Sequence, residues 1–86
     1  MDAATSEPGL SSLIITLTAL PVLRDTALVA LAARPDLELG LPGGRWIPAV
    51  LVSPAPYDVF RELEAIPGVE LVEVVFVELP ASATAA

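Results

Sequence analysis

Ile66-Pro67-Gly68-Val69-Glu70-Leu71 reads as a helix stop followed at once by a strand start. Arg34-Pro35-Asp36-Leu37-Glu38-Leu39 reads the same way 32 residues earlier (67 − 35 = 32). The residue before a proline avoids the α region, so each copy closes whatever helix precedes it. The alternation Leu37, Glu38, Leu39 and the β-branched run after Gly68 then open a strand. Helical patterns stand upstream of both copies. Over Leu20–Ala33, Pro21 suits a first turn, the segment is rich in alanine, and Leu20, Leu23, Ala27, Ala30 and Leu31 fall near one stripe. Over Pro56–Ile66, Val59, Phe60, Leu63 and Ile66 fall on one stripe at i, i+4 and i+7 spacing.

Working outward, Leu10–Thr18 reads as the first strand, with Leu13, Ile15 and Leu17 alternating with Ser12, Ile14 and Thr16. Leu37–Leu41 is a short second strand and Pro42-Gly43-Gly44 a hairpin turn. Arg45–Val52 is the third strand. Pro48 lies inside it and predicts a bulge or an irregular start, with regular pairing from Ala49 to Ser53. Val69–Leu79 is the last strand, with Val72, Val74 and Phe76 on one side and Leu71, Glu73, Val75 and Val77 on the other. The order β-α-β-β-α-β, made of two similar halves, predicts an α+β fold: a ferredoxin-like sandwich with a four-stranded antiparallel sheet and both helices on one face. Right-handed crossovers place the first and third strands in the centre. Residues 10–79 form the domain, with Met1–Gly9 a loose leader and Pro80–Ala86 a loose tail.

Composition narrows the function. The 86 residues are 55% hydrophobic and 17% charged, enough for one small core and unlike a disordered acidic chain. Cysteine, histidine and lysine are absent, which removes thiolate chemistry, the commonest general base and the lysine Schiff base. With four basic residues, eleven acidic ones and a net charge of −7, the chain is not expected to bind nucleic acid, and a basic partner is favoured. Its apolar runs are far short of the roughly 20 residues that span a bilayer, so no membrane insertion is expected. No basic residue precedes Arg24, which is the wrong sign for a secretory signal, so the expected location is cytoplasmic.

No nucleophile, base and oxyanion site assemble from these residues, so no catalysis and no cofactor are expected. Gly43-Gly44 lacks the pattern of a phosphate loop, and Asp36 with Glu38 lacks the surrounding oxygen ligands of a calcium or magnesium loop. Glu62 and Glu64 belong to the solvated side of their helix. What stands out is the sheet face that neither helix covers. Ser12, Ile14, Thr16, Glu73, Val75 and Val77 are its expected residues. They are joined by either Trp46, Pro48, Val50 and Val52 or Ile47, Ala49 and Leu51, since both sets are apolar. Monomers rarely leave such a patch in water, so a partner, a second copy or a ligand should cover it. Glu73 has two readings: a carboxylate that meets a cation on a partner, or a charge that discourages aggregation.

Ser11-Ser12-Leu13-Ile14-Ile15 and the closing stretch Leu63-Glu64-Ala65-Ile66-Pro67-Gly68-Val69-Glu70-Leu71-Val72-Glu73-Val74-Val75-Phe76-Val77 resemble the NapD family. The resemblance spans about Leu10 to Leu79. It implies a small cytoplasmic chaperone of ferredoxin-like fold. Such a chaperone binds the twin-arginine signal peptide of a molybdenum-containing nitrate reductase and restrains export until the cofactor is loaded. The peptide would lie on the open sheet face, against Ser12, Ile14, Thr16, Glu73, Val75 and Val77. The chain departs from the family in three places: Arg34-Pro35-Asp36-Leu37 stands where Pro-Gly-Val is usual, Pro48 interrupts a regular strand, and Phe76-Val77 replaces an aromatic followed by histidine. Two other expectations compete, an ACT-like module for a small molecule and a plain dimerisation domain. Against the first, the loop Thr18-Ala19-Leu20-Pro21 has no glycine with which to hold a ligand.

Overall fold

A computed structural model describes residues 9–78. The elements run β1 (Gly9–Leu17), α1 (Pro21–Ala32), β2 (Leu37–Leu39), β3 (Trp46–Ser53), α2 (Pro56–Glu64) and β4 (Val69–Glu78). The four strands form one antiparallel sheet in the order β2-β3-β1-β4, the ferredoxin-like arrangement, with β1 and β3 central. The expected leader and tail lie outside the described residues except for Gly9. That residue is the first of β1, paired with Ser53, and not part of a leader.

The two halves repeat at the level of hydrogen bonds. Each helix starts on a proline, Pro21 or Pro56, where a missing N–H costs nothing. Neither preceding residue, Leu20 or Ala55, has a capping side chain, so a hydroxyl two residues upstream takes its N–H. Leu20 N–H donates to Thr18 Oγ1 (3.3 Å) and Ala55 N–H to Ser53 Oγ (3.1 Å). Each helix exit closes a turn around a proline. Leu37 N–H donates to the Arg34 carbonyl (3.4 Å) and Val69 N–H to the Ile66 carbonyl (3.0 Å). The third turn residue differs. Gly68 has φ +99°, which marks a turn that needs glycine there, whereas Asp36 keeps a negative φ.

Asp36 uses its side chain instead. Arg34 holds its carboxylate in a two-pronged pair, with Nε to Oδ1 at 3.0 Å and Nη2 to Oδ2 at 2.9 Å, and also reaches Glu62 Oε1 on α2 at 2.9 Å. The hydrogen bond from Arg34 holds Asp36 below the ordinary carboxylate value and outweighs the opposing effect of burial. The same bond raises Arg34.

The core lies between the helices and the sheet. Leu13, Ile15 and Leu17 of β1, Ile47, Ala49 and Leu51 of β3, Ala27 and Leu31 of α1, and Val59, Phe60 and Leu63 of α2 are buried, with Leu37 and Val72. Val59, Phe60 and Leu63 of the α2 stripe are buried as expected, while Ile66 lies past the end of the helix and is half-buried; the α1 stripe is narrower, with Ala27 and Leu31 buried and Leu23 exposed. Leu20 is 64% exposed because it lies outside the helix, in the approach to Pro21.

Two further expectations are corrected. The hairpin tip is Gly44-Arg45, closed by Gly43 N–H to the Trp46 carbonyl (2.8 Å), and Gly44 at φ +70° supplies the positive angle that its first position needs. Pro48 causes no bulge: β3 pairs with β1 without a break from Gly9↔Ser53 to Thr16↔Trp46. The reason is directional. The Pro48 carbonyl accepts from Gly40 N–H (2.8 Å), so its amide faces the β2 side, beyond Leu39 where β2 ends, and the ladder to β1 loses nothing. The Pro48 ring takes the room a side chain at position 40 would need, since a Cβ there would lie 2.9 Å from Pro48 Cγ. The irregularities occur in β4 instead, where the register against β1 shifts between Ser12 and Leu13 and between Thr16 and Leu17.

Candidate functional site

Strand alternation and register together place the helix-free face. Ile47, Ala49 and Leu51 are buried, so β3 turns Trp46, Pro48, Val50 and Val52 outward, which settles the choice the sequence left open. The face is built of rows crossing the strands: Val52–Leu10, Glu38–Val50–Ser12–Phe76, Pro48–Ile14–Glu73 and Trp46–Thr16–Leu71.

Five of the six expected residues stand on this face: Ser12, Ile14, Thr16, Glu73 and Val75. Val77 does not. The register shift gives β4 one extra residue, Val75, between the pairs Leu13↔Val74 and Ser12↔Phe76. Beyond it the alternation inverts. Val77 pairs with buried Ser11 and packs against the core, and Phe76 takes its place outside, 59% exposed beside Val75 at 65%.

Leu71 stands on the Glu73 side of β4, as its alternation predicts, whereas Glu38, Leu10 and Phe76 join the face without having been expected there. Glu38 was readable, because Leu37 and Leu39 flank it and point to the core. Phe76 carried no signal, because the run Val74-Val75-Phe76-Val77 has no polar residue to show where the alternation loses phase.

Among the described residues two shallow grooves lie on the face and share Ile14. One, of about 360 Å³, is bordered by Ser12, Glu38, Gly40, Pro48, Val50 and Val75. The other, of about 330 Å³, is bordered by Thr16, Trp46 and Glu73. The floor is aliphatic, and among the described side chains the carboxylates of Glu38 and Glu73 stand at opposite edges, on β2 and β4, three strand spacings or about 14 Å apart across the sheet and in neighbouring rows along it. Among the described residues neither carboxylate has an ion-pair partner. All four arginines lie outside the rows: Arg24 in α1, Arg61 in α2, Arg34 paired with Asp36 and Glu62, and Arg45 paired with Glu70 (3.0 Å). Such a face can bury apolar side chains and hold a cation at either edge.

Among the described residues no group of three or more His, Cys, Asp or Glu side chains gathers to hold a metal, and no helix is long and apolar enough to cross a membrane. No family model, no curated protein and no solved structure matches the chain.

Proposed function

We propose that this domain is a chaperone that holds the twin-arginine signal peptide of a molybdenum-containing nitrate reductase, or of a related redox enzyme, on its open sheet face until the cofactor is loaded. The reading rests on one observation: an aliphatic face with a carboxylate at each edge and no cation in its rows. A signal peptide of this kind pairs two arginines with an apolar stretch. Each apolar side chain that it buries contributes about 1.5–3 kcal/mol before the cost of ordering the peptide. Each arginine that reaches a carboxylate adds a charge-assisted hydrogen bond. The resemblance to the NapD family supports the same reading. A homodimer through this face would bring together both carboxylates of each copy, which disfavours it. Both grooves are open, which suits a chain laid across the sheet better than an enclosed small molecule.

Calorimetric titration with a synthetic peptide carrying paired arginines before an apolar stretch tests the proposal. Binding is expected, with NMR shifts at Ser12, Ile14, Val75 and Phe76, and Ile14→Glu should abolish it by placing a charge on the floor shared by both grooves. Failure of every such peptide to bind, together with binding of a free amino acid, would sink the reading in favour of a small-molecule module.

A further inference from the structure

The two grooves differ in chemistry. The one bordered by Pro48, Val50 and Val75 is mainly aliphatic. The other joins an indole, a hydroxyl and a carboxylate: Trp46 on β3, Thr16 on β1 and Glu73 on β4, over Ile14. Trp46 and Glu73 stand two strand spacings apart, about 10 Å laterally. Their long side chains flank a trough whose floor is the intervening strand.

The indole has a defined seat. A Cβ at Gly43 would fall 2.6 Å from Trp46 Cζ2 and 2.7 Å from Cη2, so the ring rests against a backbone with no side chain to displace it. Trp46 is nonetheless 48% exposed on a face that offers it no aromatic neighbour in its own row, Thr16 and Leu71.

We infer that this second groove is a guanidinium subsite, taking one arginine of a peptide bound on the open face. The inference rests on the peptide-binding reading above and adds which arginine-recognising groups the chain supplies. A guanidinium is planar, stacks on an aromatic face and donates in a fork that fits a carboxylate. Trp46 supplies the first surface, Glu73 the second and Thr16 Oγ1 a further acceptor. The aliphatic stem of the arginine would lie on Ile14. An ammonium makes a poorer occupant, since it cannot stack and pair at once.

The test uses the whole chain and three synthetic peptides: one with paired arginines before an apolar stretch, and two in which the arginines are replaced singly by citrulline, which keeps the shape and loses the charge. Trp46 is the only tryptophan, so its emission reports on the subsite directly. One citrulline should weaken binding about tenfold and reduce the emission change, the loss of one charged hydrogen bond. In Glu73→Gln the parent peptide should weaken by a similar factor, and that citrulline should cost nothing more.

If citrulline costs the same in Glu73→Gln as in the unaltered chain, the arginine is read elsewhere and the subsite is overturned. Loss of binding in Ile14→Glu would then still uphold the open face. If the unaltered chain binds none of the peptides, the subsite and the reading beneath it both fail. Unchanged far-ultraviolet circular dichroism of Glu73→Gln would show that its loss is not one of folding.

Discussion

Replacing Gly68 by alanine tests how the second half is locked onto the first. Gly68 ends the α2 turn at φ +99°, outside the regions an L side chain occupies without strain. An added Cβ would also lie 2.6 Å from the Leu23 carbonyl oxygen and 2.9 Å from the Ala27 Cβ, both on α1. The oxygen is backbone and cannot swing aside, so α1 and the turn would have to separate. The Gly68 carbonyl in turn accepts Thr18 N–H at 2.8 Å, which ties the same turn to the end of β1. Strain at the positive angle costs about 1–2 kcal/mol, and forcing extra volume into packed surroundings costs about 1–3 kcal/mol more. About 3 kcal/mol in total should lower the melting temperature of a domain this size by roughly 12–24 °C.

Gly44 supplies the control. Its φ is +70°, but nothing lies within 4 Å of a Cβ built there. Gly44→Ala should therefore cost only the backbone strain, about 1 kcal/mol. Urea unfolding followed by circular dichroism and by Trp46 fluorescence would measure both variants. Equal losses in the two would refute the claim that close packing of the turn on α1 holds the halves together.

Acid should weaken the domain partly through Asp36. Its folded pKa lies below the ordinary value of 3.8, so its contribution is complete above that value and is lost as pH falls toward the folded one. The stability advantage of the unaltered chain over Asp36→Asn, read from urea midpoints, should therefore shrink on acidification below the ordinary carboxylate range; an advantage independent of pH would refute this. The inverted end of β4 predicts a contrast between neighbours. Val77→Ser should destabilise the fold by about 1 kcal/mol, whereas Phe76→Ser should leave stability within about 0.5 kcal/mol and weaken peptide binding. The opposite pattern would return Val77 to the open face.

Much of the fold was legible because its punctuation is local. The prolines that start both helices and the proline turns that end them are read from neighbours alone. The matched Pro-x-x-Glu-Leu proved to be a repeated turn hydrogen bond. The sheet order followed from handedness and the element order. Pro48 was misjudged for a tertiary reason. A proline harms a strand only on the side its amide faces, and whether a regular ladder lies on that side depends on where β2 stops, which no local pattern reveals. The same limit governed the facing of β3. Both of its alternating sets are apolar, and only the packing of Ile47, Ala49 and Leu51 under the helices decided it.

The irregularity in β4 shows how one residue changes a candidate site. With unbroken alternation, the outer row opposite Ser12 would end in an aliphatic side chain and Phe76 would lie under the helices. The extra residue Val75 turns Phe76 outward and Val77 inward. The inward position then receives a small β-branched side chain that fits beside Ser11, while the aromatic extends the apolar floor toward the edge away from Glu38. A bulge also interrupts the regular edge that β4 would otherwise offer to another strand. The shift therefore discourages pairing along the β4 edge, in keeping with the proposed peptide laid across the rows.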